Sequence, residues 1–210
     1  MQAGEALARW NARFQGEDYL FGTAPNGFLV AQAGRLQPGQ RALAIADGEG
    51  RNGVFLAKHG LKVRSVDFSP VALIKAQRLA AREGVELETE CADFAQWRWE
   101  RERFDVVVGI FIQFADAALR SRIFHGIRET LKPGGLVIVQ GYRPEQLRYG
   151  TGGPKELDHL YTTAMLREAF DGFEILHLAE HDDVIREGSG HSGMSALIDL
   201  VARKPEAGRP

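Results

Sequence analysis

The residues with the greatest chemical potential lie between positions 41 and 67. Arg41-Ala42-Leu43-Ala44-Ile45-Ala46 is an apolar run of strand character, and Asp47-Gly48-Glu49-Gly50 is a glycine loop. Arg51-Asn52-Gly53-Val54-Phe55-Leu56-Ala57 opens a helix, and a second strand ends on Asp67. A strand feeding a glycine loop at a helix start brings backbone amides close to a nucleotide-like ligand. A carboxylate closing the next strand is placed to take both ribose hydroxyls. The segment predicts an enzyme that uses a nucleoside cofactor.

Two cofactor classes compete for this loop. Gly48-Glu49-Gly50-Arg51-Asn52-Gly53 fits the G-x-G-x-x-G pattern, and Asp67 follows Gly50 by 17 residues, near the usual spacing of about 20. Alone, that pattern suggests NAD. Asp47 and Glu49, however, flank the glycines where a pyrophosphate would rest. Two carboxylates there repel an anion, and a helix dipole recovers only about 0.3–1 kcal/mol. S-adenosylmethionine carries a sulfonium and an ammonium and no phosphate, so an acidic loop favours it. The plain alternative is that both acids point to solvent and merely start a helix.

The elements that must position these residues alternate along the chain. Helices are predicted over Ala3–Phe14 and Phe28–Leu36, with a glycine- and aromatic-rich loop between them. Strand one is followed by a helix over Arg51–His59, stopped by Gly60. Strand two covers Leu61–Phe68, and Ser69-Pro70 opens a helix that runs to about Glu83. Val85–Cys91 alternates as a third strand, and the unbroken apolar run Phe104–Phe111 is a strand buried on both faces. A helix from Asp116 to Leu131 is broken by Lys132-Pro133-Gly134-Gly135, and Leu136–Tyr142 forms strand five. Arg143–Asp158 reads as a loop, followed by a helix near Thr162–Phe170. Phe173–Ile185 and Met194–Arg203 form an antiparallel hairpin. This order predicts an α/β fold with a doubly wound, mostly parallel, Rossmann-like sheet. The expected organisation is a single domain over residues 1–210: an N-terminal helical cap and lid over 1–36, a core over 37–204, and a frayed tail over 205–210.

Composition narrows the class. The chain has 210 residues, 44% of them hydrophobic, which is enough for one real core. A formal net charge of −2 provides no electrostatic footprint for nucleic acid. Cys91 is the single cysteine, so no internal disulfide forms, as expected in a reducing compartment. No signal peptide is evident, and Val106–Ile112 is far shorter than the ~20 residues that span a bilayer. A cytoplasmic protein without membrane attachment is expected. Histidines and Cys91 are too scattered to suggest a metal site.

On these motifs the chain resembles the class I S-adenosylmethionine-dependent methyltransferases from Tyr19 to Lys204. Arg41–Asn52 corresponds to the family's first motif, Val66-Asp67-Phe68-Ser69 to its ribose motif and Cys91-Ala92-Asp93-Phe94 to its adenine motif. Phe104-Asp105-Val106-Val107 matches strand four, and Leu131-Lys132-Pro133-Gly134-Gly135 the turn before strand five. Within the class, Gly48–Asn52 followed by Phe55-Leu56-Ala57, with the Tyr19 loop and Ala202-Arg203-Lys204, is similar to the tellurite-resistance-type and thiopurine-methyltransferase-like branch.

The resemblance implies a seven-stranded sheet ending in an antiparallel hairpin. It also implies cofactor contacts from Tyr19, Asp47, Gly48, Gly50, Asn52, Asp67, Phe68, Asp93, Phe94 and Ile110. In that scheme Asp67 takes the ribose, Asp93 takes the adenine amino group and Phe68 and Phe94 flank the ring. Gly48 and Gly50 admit the methionine part to the backbone, while Ile110 and Phe111 line its end. Plain alternatives are a turn cap for Asp93 and core packing for both phenylalanines. Two residues depart from the pattern: Ala44 replaces an acid and Ala46 a glycine. Weaker cofactor affinity than is usual is therefore expected, with Asp47 as a substitute charge.

Methyl transfer from a sulfonium is an in-line displacement, in which the protein supplies alignment and exclusion of water. A thiolate or chalcogen anion, the acceptor type associated with this branch, needs no general base. Tyr19 and Phe21 are expected to close over the sulfonium. Phe21, Gln113, Tyr142, Arg143, Arg186 and His191 are candidates to meet a small-molecule acceptor at the carboxyl ends of the strands. A nicotinamide-dependent oxidoreductase and a non-catalytic nucleoside-binding member of the fold are the competing readings.

Overall fold

Leu43 and Ile45 point to one face of a central strand while Ala42 and Ala44 point to the other, and all four are buried. A strand apolar on both faces must lie inside a sheet covered by helices on both sides. The computed structural model describes residues 3–206 and 208. It places this strand, β1 (Arg41–Ile45), third in a seven-stranded sheet. The other strands are β2 (Lys62–Asp67), β3 (Glu88–Cys91), β4 (Phe104–Ile110), β5 (Leu131–Tyr142), β6 (Glu174–Glu187) and β7 (His191–Arg203). Their order is β3-β2-β1-β4-β5-β7-β6. β1 to β5 pair in parallel, whereas β7 pairs antiparallel with both β5 and β6. The predicted doubly wound sheet with its terminal hairpin is the observed one.

The strand order reverses between β1 and β4. Ligands of open α/β sheets settle in the crevice at such a reversal, outside the carboxyl ends of the strands. The helices that frame it are α1 (Ala3–Phe14), α2 (Gly27–Ala31), α3 (Arg51–Lys58) and α4 (Pro70–Arg82). α5 (Ala117–Thr130), α6 (Gln146–Tyr149) and α7 (Thr163–Ala169) complete the set. Leu43, Val107, Val137 and Val139 pack with Ile123 and Ile127 of α5 and Leu166 of α7. Ala42, Ala44, Val106 and Ile138 pack with Leu56 of α3 and Leu29 of α2 on the opposite face.

Caps fix most helix starts. Asn26, Ser69, Asp116 and Thr162 accept the third backbone amide onward for α2, α4, α5 and α7. α3 has no such cap, since it begins after Gly50 at φ 87°.

Several boundaries differ from the sequence reading. The second helix stops at Ala31 and continues as a 3-10 turn over Ala33–Arg35, short of the expected Leu36. β3 starts at Glu88 rather than Val85. Lys132-Pro133-Gly134-Gly135 does not precede β5 but forms a bulge within it, between the pairs Phe104–Leu131 and Val106–Leu136. The end of β7 holds that bulge, with Gly134 N donating to Lys204 O and Lys204 N to Gly135 O. The expected loop Arg143–Asp158 contains α6, and the hairpin strands run to Glu187 and from His191, leaving a turn of Gly188-Ser189-Gly190. The expected fraying after Lys204 falls partly on residues 207, 209 and 210, outside the described residues.

Among the described residues, no helix is long and apolar enough to cross a membrane. No cluster of three or more His, Cys, Asp or Glu able to hold a metal ion occurs there either.

Candidate active site

Two buried carboxylates brace the glycine loop, one at each end. Asp67, at the tip of β2, accepts from Gly48 N at 2.8 Å and from Ser69 N at 2.8 Å. Asp47 accepts from Gly53 N at 3.1 Å and from Ser65 Oγ at 2.9 Å. The missing cap of α3 is thus supplied from six residues upstream. Burial pushes the Asp47 carboxyl up to about 7, against the bonds from Ser65 and Gly53, and the Asp67 charge adds to the rise. Asp67 is likewise raised by burial, which outweighs its backbone bonds.

This geometry corrects the expectation for Asp47. Its oxygens face α3 and β2 behind the loop, so it supports the loop instead of presenting charge to a ligand. Gly50 is also reassigned. A Cβ there would lie 2.6 Å from Ala76 Cβ, so the missing side chain admits α4. At Gly48 a Cβ would meet nothing closer than the Phe14 ring at 3.7 Å, which leaves that face of the loop approachable once one side chain moves.

Glu49 does not project into the cleft either. It is buried, with Oε1 2.5 Å from Lys75 Nζ on α4. Lys75 Nζ also lies 2.9 Å from Gly16 O, 2.6 Å from Asp18 O and 3.4 Å from Phe14 O, so the buried ion pair with Glu49 is tied to three backbone carbonyls. Lys75 offsets the charge of Glu49. Lys75 also fastens the N-terminal segment over the cleft. Tyr19 Oη donates to Lys75 O at 3.0 Å, and its ring lies 4.9 Å from the ammonium. Tyr19 packs with Val54 and Leu79 beside α4. Asn11 of α1 adds a contact, accepting from Ser69 Oγ at 2.6 Å.

After β3, Asp93 accepts from Ala95 N at 2.9 Å and organises a turn. Phe94 is buried in the main core beside Ile45 and Ile112, whereas Phe68 is half-buried after Asp67. Ile110 ends β4 in the opposite core.

The acceptor candidates separate into two groups. Phe21, Tyr142 and His191 come together with Phe111. The His191 ring lies 4.5 Å from both Phe21 and Phe111, and Tyr142 stacks on Phe111 at 4.7 Å. Tyr142 Oη and His191 Nδ1 are 2.7 Å apart. Burial drives the imidazole down to about 3 and the phenol above its ordinary range, so both are neutral near pH 7. Gln113, Arg143 and Arg186 lie outside this cluster. Gln113 is spent on the backbone, donating to Tyr142 O and His159 O and accepting from Tyr142 N. Arg143 pairs with Glu145 and Asp182, and Arg186 is exposed on β6.

The sequence reading passed over a buried polar chain beside the box. Arg51 pairs with Glu187 at 2.6 Å. Asn26 donates to Glu187 at 2.9 Å and to Gln140 at 2.6 Å, and Gln140 donates to Asp199 at 2.7 Å. Asp199 faces His181 Nε2 at 2.8 Å, and Asn52, expected at the cofactor, accepts from Asn26 N at 3.0 Å. Only Lys75 carried a local signal, as a charge on the apolar face of α4 with Ala72, Ala76 and Leu79.

Comparison with known proteins places this geometry. Residues 42–135 match a family model described as a methyltransferase domain. An uncharacterized protein of Mycobacterium tuberculosis is 33% identical over 120 residues, 55% of this chain and 42% of that protein. Hemagglutinin 1 of Eikenella corrodens is 30% identical over 170 residues, 79% of this chain and 55% of that protein. The chain thus spans about half the length of the curated relatives it matches. A solved structure from work on the conversion of a disulfide bond into a thioacetal group during echinomycin biosynthesis superposes with a TM-score of 0.76 at 20% identity. It covers 96% of this chain and 93% of its own. TehB from Haemophilus influenzae gives 0.71 at 20% identity over 87% and 63%. A SAM-dependent methyltransferase from Methanosarcina mazei gives 0.69 at 18% identity over 87% and 99%. Residues 42–135 are thus similar to a methyltransferase domain, set in a seven-stranded α/β fold shared with the solved structure of a SAM-dependent methyltransferase.

Proposed function

We propose that the protein transfers a methyl group from S-adenosylmethionine to a small soft nucleophile, a thiol or a chalcogen anion. The observation that carries this reading is the braced glycine loop at the sheet's switch point, with the Asp67 carboxylate at the neighbouring strand tip. The residues fit the cofactor. Asp67 has acceptor capacity beyond its two backbone bonds, and the open face of Gly48 is covered by the Phe14 ring alone. When bound, S-adenosylmethionine supplies an electrophilic methyl on sulfur.

The chain's own residues bind, orient and keep water out. Asp67 holds the ribose hydroxyls, and the loop backbone receives the methionine part. Phe14 and Phe21, 6.3 Å apart, form the roof. The box of Phe21, Phe111, Tyr142 and His191 receives the acceptor. It offers no group poised to take a proton at neutral pH, since His191 is held far below its ordinary range. The acceptor therefore enters already ionised, which suits a thiolate. The sulfur chemistry of the echinomycin structure and the likeness to TehB support this acceptor class. The single cysteine and small net charge support action on small molecules in a reducing, cytoplasmic setting, away from nucleic acid and membranes.

The test is incubation with methyl-labelled S-adenosylmethionine and a panel of thiols, selenols, amines and alcohols. Label should pass to the sulfur and selenium acceptors, with a rate that rises as the acceptor's own pKa is passed. Transfer confined to amines or alcohols would refute the acceptor class.

A further inference from the structure

One face of α1 lies across the two groups that the cofactor needs most, Asp67 and Gly48. Asp67 is only 8% exposed. Its oxygens accept from Gly48 N and Ser69 N, and α1 seats a side chain against each of those residues. Asn11 Oδ1 accepts from Ser69 Oγ at 2.6 Å, and the Phe14 ring stands 3.7 Å from where a Gly48 Cβ would be. Asn11 and Phe14 are three residues apart on the helix and so share a face. We propose, on the reading of the glycine loop as the seat of S-adenosylmethionine, that α1 is an autoinhibitory gate. Its Phe14 ring sits in the space on Gly48 that the methionine part takes, and α1 has to lift before the cofactor enters.

The burial of Phe14 is of an unusual kind. The side chain is 3% exposed, yet it joins neither of the cores on the two faces of the sheet. Its neighbours are the loop at Gly48, the Trp10 ring stacked on it at 5.5 Å and the Phe21 ring at 6.3 Å. Phe14 is therefore buried against the site by its own segment. Carbon atoms in contact already stand about 3.5–4.0 Å apart, so no second layer fits between this ring and the loop. The roof rests on the floor, and a ligand touching that face of Gly48 excludes the ring from it.

The walls of the site cannot make the room instead. β1 and β2 are paired on both sides within the sheet. Gly50 leaves no space between the loop and Ala76 of α4. α1 is held more lightly. Among the described residues, no backbone hydrogen bond joins Ala3–Phe14 to another element. Its polar ties there are the Ser69–Asn11 contact and Lys75 Nζ to Phe14 O at 3.4 Å. Segments with few such ties open locally at the least cost, so α1 is the part that yields.

A gate differs from a lid that shuts on its ligand. Trimming a lid removes contacts from the bound state, whereas trimming a gate lowers the barrier to entry. The association rate separates the two, because it does not depend on what the ring touches after binding.

The experiment is stopped-flow binding of S-adenosylmethionine to the whole protein, followed by tryptophan fluorescence, since Trp10 stacks on Phe14. The observed rate should level off as ligand concentration rises, because opening of α1 limits entry. In Phe14→Ala the ceiling should rise about tenfold, the change expected when the barrier loses the contacts of one aromatic ring. Asn11→Ala removes the Ser69 contact and keeps the aromatic packing, and its ceiling should rise about threefold. This second variant decides the matter if Phe14→Ala does not fold. A rate that climbs linearly to the mixing limit in the unmodified protein, or a ceiling unchanged or lowered in the variants that fold, would overturn the gate. Calorimetric titration of the same proteins keeps the two readings apart. Binding heat with an unaltered ceiling condemns the gate alone, whereas no binding heat in any of them overturns the cofactor reading and the gate with it.

Discussion

Ala46 sits in the left-handed region at φ 48°, where a side chain costs about 1–2 kcal/mol. Replacement by glycine should raise stability by about 1 kcal/mol, read from the denaturant midpoint, and a lowered midpoint would show that the methyl packs more than it strains. The two enclosed titrating groups make opposite predictions. Asp47 is raised to about 7, so the folded chain holds a proton the unfolded chain has lost above about 4. Its contribution is full at low pH and fades as pH rises through about 7. His191 is lowered to about 3, so the unfolded chain binds a proton there that the folded chain refuses. Its contribution appears as pH rises from about 3 to about 6.5. Thermal melts across that range should show the advantage of the unmodified protein over Asp47→Asn shrinking with pH. The same comparison against His191→Phe should show it growing. Parallel curves for either variant would refute the corresponding assignment.

At the scale of elements, Lys75 is the joint between α4, the glycine loop and the N-terminal segment. Lys75→Met strands the Glu49 carboxylate in the interior and releases three carbonyls, a loss of about 3–5 kcal/mol. Exchange of the amides of residues 14–19 should accelerate in the variant, and pairing it with Glu49→Gln should recover part of the loss. No recovery in the double variant would show that the ion pair is not what holds the segment. Both glycines are left-handed, Gly48 at φ 59° and Gly50 at φ 87°, but Gly50→Ala forces a methyl to 2.6 Å from Ala76 Cβ and should destabilise more than Gly48→Ala, whose nearest neighbour is the Phe14 ring at 3.7 Å. This contrast also marks what the sequence could show. β1 and β4 were legible because strands buried on both faces are apolar throughout. Pro133 and its glycines read as a break because the bulge in β5 is held by Lys204, far along the chain, through Gly134 and Gly135. α6 was read as loop because Gln146 holds it through Thr151, Gly152 and Ala196.

Across the whole molecule, the sheet and its switch point brought the glycine loop and Asp67 together as their spacing implied. The charged residues Glu49 and Arg51 behaved otherwise, because their partners lie on other elements. Glu49 meets Lys75 on α4, and Arg51 meets Glu187 at a separation of 136 residues. The aromatic box likewise joins the N-terminal loop, the ends of β4 and β5, and the start of β7, which no local pattern links. The negative charge that disfavours a phosphate-bearing cofactor at the loop consequently belongs to Asp67 and no longer to Glu49. Its most direct test is parallel equilibrium titration of the protein with S-adenosylmethionine and with NADH. Saturable binding of S-adenosylmethionine, lost in Asp67→Ala, with no quenching of NADH at micromolar levels, is the predicted result. Micromolar NADH binding with no response to S-adenosylmethionine would contradict the account.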